Sequence, residues 1–183
     1  LPNASGDPEI GPSAITVTPS STNQFTQNLE FRFNSIAAGT SVFAQTFTYL
    51  VTPLGGFTNG SISLRDASAT GNGVVIGSQL RCQGGPLAAD GSSCSSGGTF
   101  SADSVVAFEG ATADLLTASF PLVQNSSPLF VRNEIVVDGG GINGGTATAG
   151  AFTNSFTAVP EPATLSLMGS LLLGAVLLRR KTV

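Results

Sequence analysis

Before residue 159 apolar residues recur at every second position and not at the three- and four-residue spacing of a helix face. Leu29, Phe31 and Phe33 alternate with Glu30 and Arg32, so an extended chain places three apolar side chains on one face and a charge pair on the other. Residues 42–51 repeat the pattern, with Phe43, Phe47, Tyr49 and Val51 on one side and Val42, Ala44, Thr46 and Thr48 on the other. Strands half-buried against a core are the consequence: Phe31, Phe33 and Phe47 are expected inside, Glu30 and Arg32 outside. Further strands are expected at 15–18, 61–65, 73–82, 99–102, 104–108, 115–120, 129–137 and, more weakly, 147–156, each bounded by Gly, Asn, Asp or Pro. Gly55, Gly56, Asn59 and Gly60 read as a turn. About nine short strands with this punctuation predict an all-β fold, an antiparallel, jelly-roll-like β-sandwich over residues 15–158. Residues 1–14, with three prolines, read as a flexible leader, and Gly139, Gly140, Gly141, Gly144 and Gly145 as a loose turn or hinge before a last edge strand. That glycine run lacks the following helix and the lysine that a phosphate-cradling loop needs.

The run at 163–178 contrasts with the rest of the chain. Its sixteen residues carry no charge and seven are leucine, and three cations, Arg179, Arg180 and Lys181, follow. As a helix it would be about 24 Å long, a short membrane span against a hydrocarbon core of about 30 Å. A buried core helix is the alternative for a run of this length, but this one is apolar on nearly every side and ends in consecutive cations. A transmembrane helix is therefore expected, with the basic tail 179–183 on the cytoplasmic side and the preceding body exported. Ser166, Ser170 and Gly174 would form a stripe of small residues along it, suited to close helix approach. Directly before the run, Pro160 and Pro162 bracket Glu161, and two prolines hold such a peptide extended and outside the helix.

Val159-Pro160-Glu161-Pro162, then Thr164-Leu165, a short Leu/Gly-rich span and a terminal Arg-Arg-Lys together resemble the PEP-CTERM sorting signal, a segment also filed as the "ice-binding protein C-terminal domain". The resemblance covers residues 159–181. It implies that the chain is a substrate of exosortase, a membrane-embedded cysteine-protease-like enzyme of bacteria that make exopolysaccharide. In that reading Val159, Pro160, Glu161 and Pro162 form the recognition motif and Arg179, Arg180 and Lys181 are retention charges. The precursor is expected to sit in the membrane before the body reaches the cell surface or the extracellular matrix. Leu1-Pro2-Asn3 reads as a mature end left by removal of a signal peptide.

Composition narrows the alternatives. Charged residues make up 10% of the chain, about a quarter being usual, and there is no histidine or tryptophan. Residues 1–162 hold eleven acidic residues and four arginines, leaving −7, a surface unsuited to nucleic acid or to an anionic membrane. Histidine-dependent catalysis is ruled out, and a tetrahedral zinc site, with two cysteines as the soft ligands, nearly so; no metal or cofactor is expected. Two facing carboxylates would suffice for a glycosidase, but without tryptophan and with one tyrosine there is little to stack on a sugar ring. Calcium would suit the oxygen-rich side chains, although no EF-hand pattern occurs. Cys82 and Cys94, in an exported chain, are expected to form one disulfide closing a 13-residue loop, worth about 3 kcal/mol in the loop-entropy model. Thr-x-Thr triplets at 16–18, 46–48 and 146–148 share no fixed period, so an ordered ice-binding array is not expected of the body. Three roles stay open: a non-enzymatic surface or matrix protein associated with exopolysaccharide, a glycan- or calcium-binding lectin-like module, and a secreted carboxylate-dependent hydrolase.

Overall fold

The computed structural model describes residues 15–159 apart from 24, 53–54, 109–115 and 125–126, and these form two antiparallel sheets with no helix. Ten strands follow in order: β1 (Thr16–Asn23), β2 (Thr26–Ala38), β3 (Val42–Val51), β4 (Phe57–Arg65), β5 (Ser68–Thr70), β6 (Val74–Gln83), β7 (Thr99–Phe108), β8 (Thr117–Pro121), β9 (Leu129–Asp138) and β10 (Thr146–Ala158). The first sheet runs β1-β2-β10-β4-β8, with β5 also on β10; the second runs β3-β9-β6-β7. The expected helix at 163–178, its small-residue stripe and the leader at 1–14 lie outside the described residues.

The alternation in β2 sets the first sheet's register. Phe31 and Phe33 are 4% and 3% exposed and Arg32 points to solvent, as the pattern predicts. Glu30 departs from expectation: its side chain is 13% exposed, because Arg32 and Arg65 both reach over its carboxylate from the same face. Across the interior these phenylalanines, with Ile62, Leu64, Phe120 and Phe152, meet Val75, Val105, Leu129, Val131, Ile135 and Val137 of the second sheet. Fully covering one such side chain contributes roughly 1.5–3 kcal/mol. Phe47 of β3 stacks on Phe31 with ring centroids 4.7 Å apart, yet stays only half-buried because β3 is the end of its sheet.

Several boundaries differ from the sequence reading, each for a local reason. Asn59 and Gly60 are not a turn but lie inside β4, where the missing side chain of Gly60 leaves room for the Phe120 ring. Segments 99–102 and 104–108 are one strand, because Asp103 is held within β7 by an ion pair to Arg81. β10 is not an edge strand; it sits between β2 and β4 at the centre of its sheet. The glycine-rich stretch before it is a hydrogen-bonded corner: Gly141 N–H donates to Gly39 O (2.8 Å) and Gly145 N–H to Gly139 O (2.9 Å). Gly140, at φ +86, lies so close to the Asn72 backbone that a Cβ would overlap it.

Candidate functional site

Three features could carry function: the outer face of the first sheet, the interior polar layer and the junction with the sorting motif. On the outer face the register aligns short polar side chains in rows across the strands. One row is Ser20, Asn28, Ser155, Ser61 and Ser119; the next is Thr18, Glu30, Thr153, Ser63 and Thr117. Beyond the first lie Thr26, Thr157 and Asn59. Neighbours within this lattice bond one another: Asn28 Nδ2 donates to Thr22 Oγ1 at 2.8 Å, Ser155 Oγ to Asn28 Oδ1 at 2.5 Å, and Thr26 and Thr157 share a hydroxyl contact at 3.2 Å. A groove of about 500 Å³ opens among Thr22, Asn28, Asn59, Ser61, Ser119 and Thr157. Its lining is neutral and can both donate and accept, so it suits ligands rich in hydroxyls or amides. Rows of this kind need the pairing register as well as the composition, and the sequence alone shows only the Thr-x-Thr triplets. Those triplets do not combine: Thr16 and Thr18 lie on β1, Thr146 and Thr148 at the far end of β10, and Thr46 and Thr48 on the opposite sheet.

The interior holds a polar layer that sequence reasoning missed. Arg81, 1% exposed, points between the sheets, pairs with Asp103, and donates to Gln79 Oε1 (2.9 Å) and Ser101 Oγ (3.2 Å). Its guanidinium carbon lies 3.4 Å from the centre of the Phe120 ring. Gln79 Nε2 donates to Asn133 Oδ1 at 3.0 Å and to Asn154 Oδ1, and Asn133 Nδ2 reaches the Tyr49 hydroxyl at 3.4 Å. Burial lowers the Arg81 pKa against the opposing pull of Asp103, and burial pushes the Tyr49 phenol up. Each member bonds at least one other protein group, Asn154 through Oδ1 while its Nδ2 is buried without a partner, so the layer reads as a structural network. A signal for it was present, since Gln79, Arg81 and Gln83 recur at the two-residue spacing of one strand face.

On the opposite face of β6, Leu80 and Cys82 lie beneath the loop 84–98. Cys82 and Cys94 form the expected disulfide, with Cα atoms 5.7 Å apart, inside the reach of an unstrained bridge. Among the described residues no three of His, Cys, Asp or Glu come together as a metal cluster would require. Nor does any helix among them have the length and apolarity to cross a membrane.

The sorting motif leaves the sandwich without a spacer. Ala158 N–H donates to Phe25 O (2.8 Å) and Val159 N–H to Gly56 O (3.0 Å), so β10 is held on both sides up to the residue before Pro160. Proline has no N–H with which to extend that ladder. Of the predicted recognition residues, Val159 is thus placed at the end of the central strand. Pro160, Glu161, Pro162 and the cations Arg179, Arg180 and Lys181 lie outside the described residues.

Comparison with known proteins defines this segment. Residues 158–181 match the family of the PEP-CTERM protein-sorting motif. The motif marks an exported protein sorted to the cell envelope or surface, and in general it implies processing by exosortase. No curated protein matches the chain. Among solved structures, TmCBM61 in complex with β-1,4-galactotriose is similar at 10% identity, over 80% of this chain and 89% of that one, with a TM-score of 0.37. The VP2 subviral particle of infectious bursal disease virus is similar at 11% identity, over 81% of this chain and 34% of that one, again at 0.37. At such scores neither likeness carries an argument about ligand.

Proposed function

We propose that this chain is a structural protein of the cell surface or extracellular matrix, a substrate of exosortase and not an enzyme, whose sandwich contacts neutral exopolysaccharide. The observation that carries the reading is the PEP-CTERM match beginning where β10 ends. In this account residues 15–158 are the exported domain, 163–178 hold the precursor in the membrane, and Arg179, Arg180 and Lys181 stay on the cytoplasmic side. The strand orders β2-β10-β4-β8 and β3-β9-β6-β7 are read as a jelly roll, whose outer polar face stays free for contact. The first row and the groove beside it carry hydroxyls and amides without charge, which favours a neutral glycan over calcium or an anionic surface, both of which would ask for clustered charge.

Fractionation of cells with and without exosortase tests the sorting. Wild type should lose its C-terminal segment where the enzyme is present, and Glu161→Ala should accumulate as uncut membrane-bound precursor. Cleavage of Glu161→Ala at the wild-type rate would refute the assigned recognition. Replacing Ser61 and Ser155 with Glu should abolish retention on neutral exopolysaccharide without changing sorting; unchanged retention would remove the outer face from the account.

A further inference from the structure

The pairing gathers one end of both sheets around the place where the chain leaves the body. β10 ends at Ala158 beside the start of β2 and of β4, with the end of β8 beyond, and the connection 52–56 brings the paired ends of β3 and β9 to the same side. The segments that meet at this junction end, 20–28, 50–60, 118–129 and 156–159, contain no charged residue. Charge lies at the opposite end, where Arg65 closes β4, Asp66 follows it and Asp138 closes β9. Asp90 belongs to the loop 84–98, which leaves the junction end but folds back along the outer side, its Gly91 lying against Leu80.

Two mostly apolar grooves open at this uncharged end. One, of about 230 Å³, is lined by Pro19, Leu29, Tyr49, Leu50, Val51 and Phe156; the other, of about 310 Å³, by Thr99, Ser101, Pro121, Leu122, Val123 and Leu129. Leu50 is 52% exposed, Val123 43% and Phe100, at the start of β7, 37%. Exposed apolar side chains occur at the far end too, Ile36 and Ile142 among them, but that end carries the charges. Apolar surface in a polar rim marks a contact site, and here the chain itself says what stands opposite. Val159 is held to Gly56 by its backbone, and Pro160, Glu161 and Pro162 alone separate it from the apolar run that opens at Ala163. Four Cα steps reach at most about 14 Å, and the headgroup layer outside the hydrocarbon core is about 5–7 Å thick. If 163–178 span the membrane, the reading on which this inference rests, Val159 is held within or just above the headgroups.

We propose that in the uncut precursor the junction end of the sandwich docks on the lipid surface itself, with Leu50, Phe100 and Val123 entering the interface. Leu50 on β3 and Val123 after β8 lie toward opposite edges of the body, so the two contacts set it upright on the bilayer. The short tether favours lipid over a second copy, because it places the membrane, not open solvent, opposite this end. The charge pattern agrees. Residues 1–162 are −7 overall, yet the charges of the far end stand about 30–40 Å away along β9 and β10, several times the Debye length of about 8 Å, and leave the docking end neutral. Cleavage at the sorting motif would then free the body from the span and leave a contact that three side chains hold reversibly.

The test uses the full chain in phosphatidylcholine nanodiscs containing a trace of lipid with a gadolinium-bearing headgroup, and reads amide relaxation enhancement by NMR. With an inverse-sixth-power dependence and a body about 40 Å long, enhancement at Leu50, Phe100 and Val123 should exceed that at Ile142 by more than about tenfold. Leu50→Glu/Val123→Glu puts a charge at each contact and should lower the enhancement at Phe100 by about threefold or more while keeping the wild-type melting temperature. Leu50→Ser/Val123→Ser should act in the same direction without adding charge. Equal enhancement at both ends, or wild-type enhancement at Phe100 in both double variants, would overturn the proposal and leave the body tethered without contact. So would protection of these amides that rises with protein concentration in detergent and not with lipid, which would assign this end to a second copy. A chain that fails to enter the nanodisc would refute the membrane span itself, and the docking with it, whereas a chain that enters without the gradient refutes the docking alone.

Discussion

Asp103→Asn is the substitution that most sharply tests the interior of this sandwich. The change keeps the side chain's shape but leaves the Arg81 guanidinium, 1% exposed, without a counter-charge. Breaking a buried pair in this way costs about 3–5 kcal/mol, and because Asp103 is 31% exposed the lower end, about 3 kcal/mol, applies. The double variant Arg81→Met/Asp103→Asn removes both charges. What it loses is the two donors to Gln79 Oε1 and Ser101 Oγ, about 0.5 kcal/mol each at the low end of the net range, and the cation held over Phe120, about another 1 kcal/mol. The double variant should therefore be more stable than Asp103→Asn by about 1 kcal/mol. In urea unfolding, with a slope of about 1.5 kcal/mol/M, the midpoint should fall by about 2 M for the single change and little more than about 1 M for the double. A single-variant cost below about 1 kcal/mol, or a double variant less stable than the single, would refute the claim that an uncompensated buried charge dominates.

Three further outcomes follow from local geometry. Gly77→Ala would bring a Cβ within 2.5 Å of the fully buried Phe152 ring and 3.1 Å of Val105, so overpacking should cost about 1–3 kcal/mol in the same urea assay; a neutral result would mean that the ring can move aside. Reducing the Cys82–Cys94 bridge, or replacing both cysteines with serine, should lower stability by about 3 kcal/mol and speed amide exchange in 84–98; unchanged exchange would mean that the loop holds itself. Ser92 donates through N–H (3.1 Å) and Oγ (2.8 Å) to the Asp90 carboxylate and holds its pKa below the ordinary 3.8. With the folded value lowered, the contribution of Asp90 is present above the ordinary carboxylate pKa and lost as pH falls through the folded one. An NMR titration should place its midpoint below 3.8, with Ser92→Ala moving it part of the way back, and a midpoint at 3.8 or higher would contradict this.

What could be read from the sequence divides along physical lines. β3 is legible because one of its faces repeats aromatic and β-branched side chains, β9 because a β-branched and apolar run is bounded by Pro128 and Gly139, and the sorting motif because a linear peptide carries its chemistry in its own order. β6 shows where local pattern fails. Its apolar residues Val74, Ile76, Leu80 and Cys82 would place Gln79 and Arg81 in solvent, yet Gln79 and Arg81 are buried between the sheets. The disulfide loop explains the reversal, since it covers Leu80 and Cys82 on the outer side and frees the inner side for the polar network. Asp103 broke the expected strand at 99–108 because aspartate is disfavoured in isolated strands, and its partner lies 22 residues away in the chain. The central place of β10 and the hydroxyl rows of the outer face depend on pairing between distant segments, which periodicity within one segment does not encode.

Residues 158–181 match a protein-sorting motif and follow directly on the folded body. The most direct measurement is the intact mass of the protein recovered from the surface of exosortase-containing cells. That mass should lack residues 163–183, with the full mass accumulating when exosortase is deleted. A surface protein that retains residues 163–183 in the presence of the enzyme would contradict it and make this segment a plain membrane anchor.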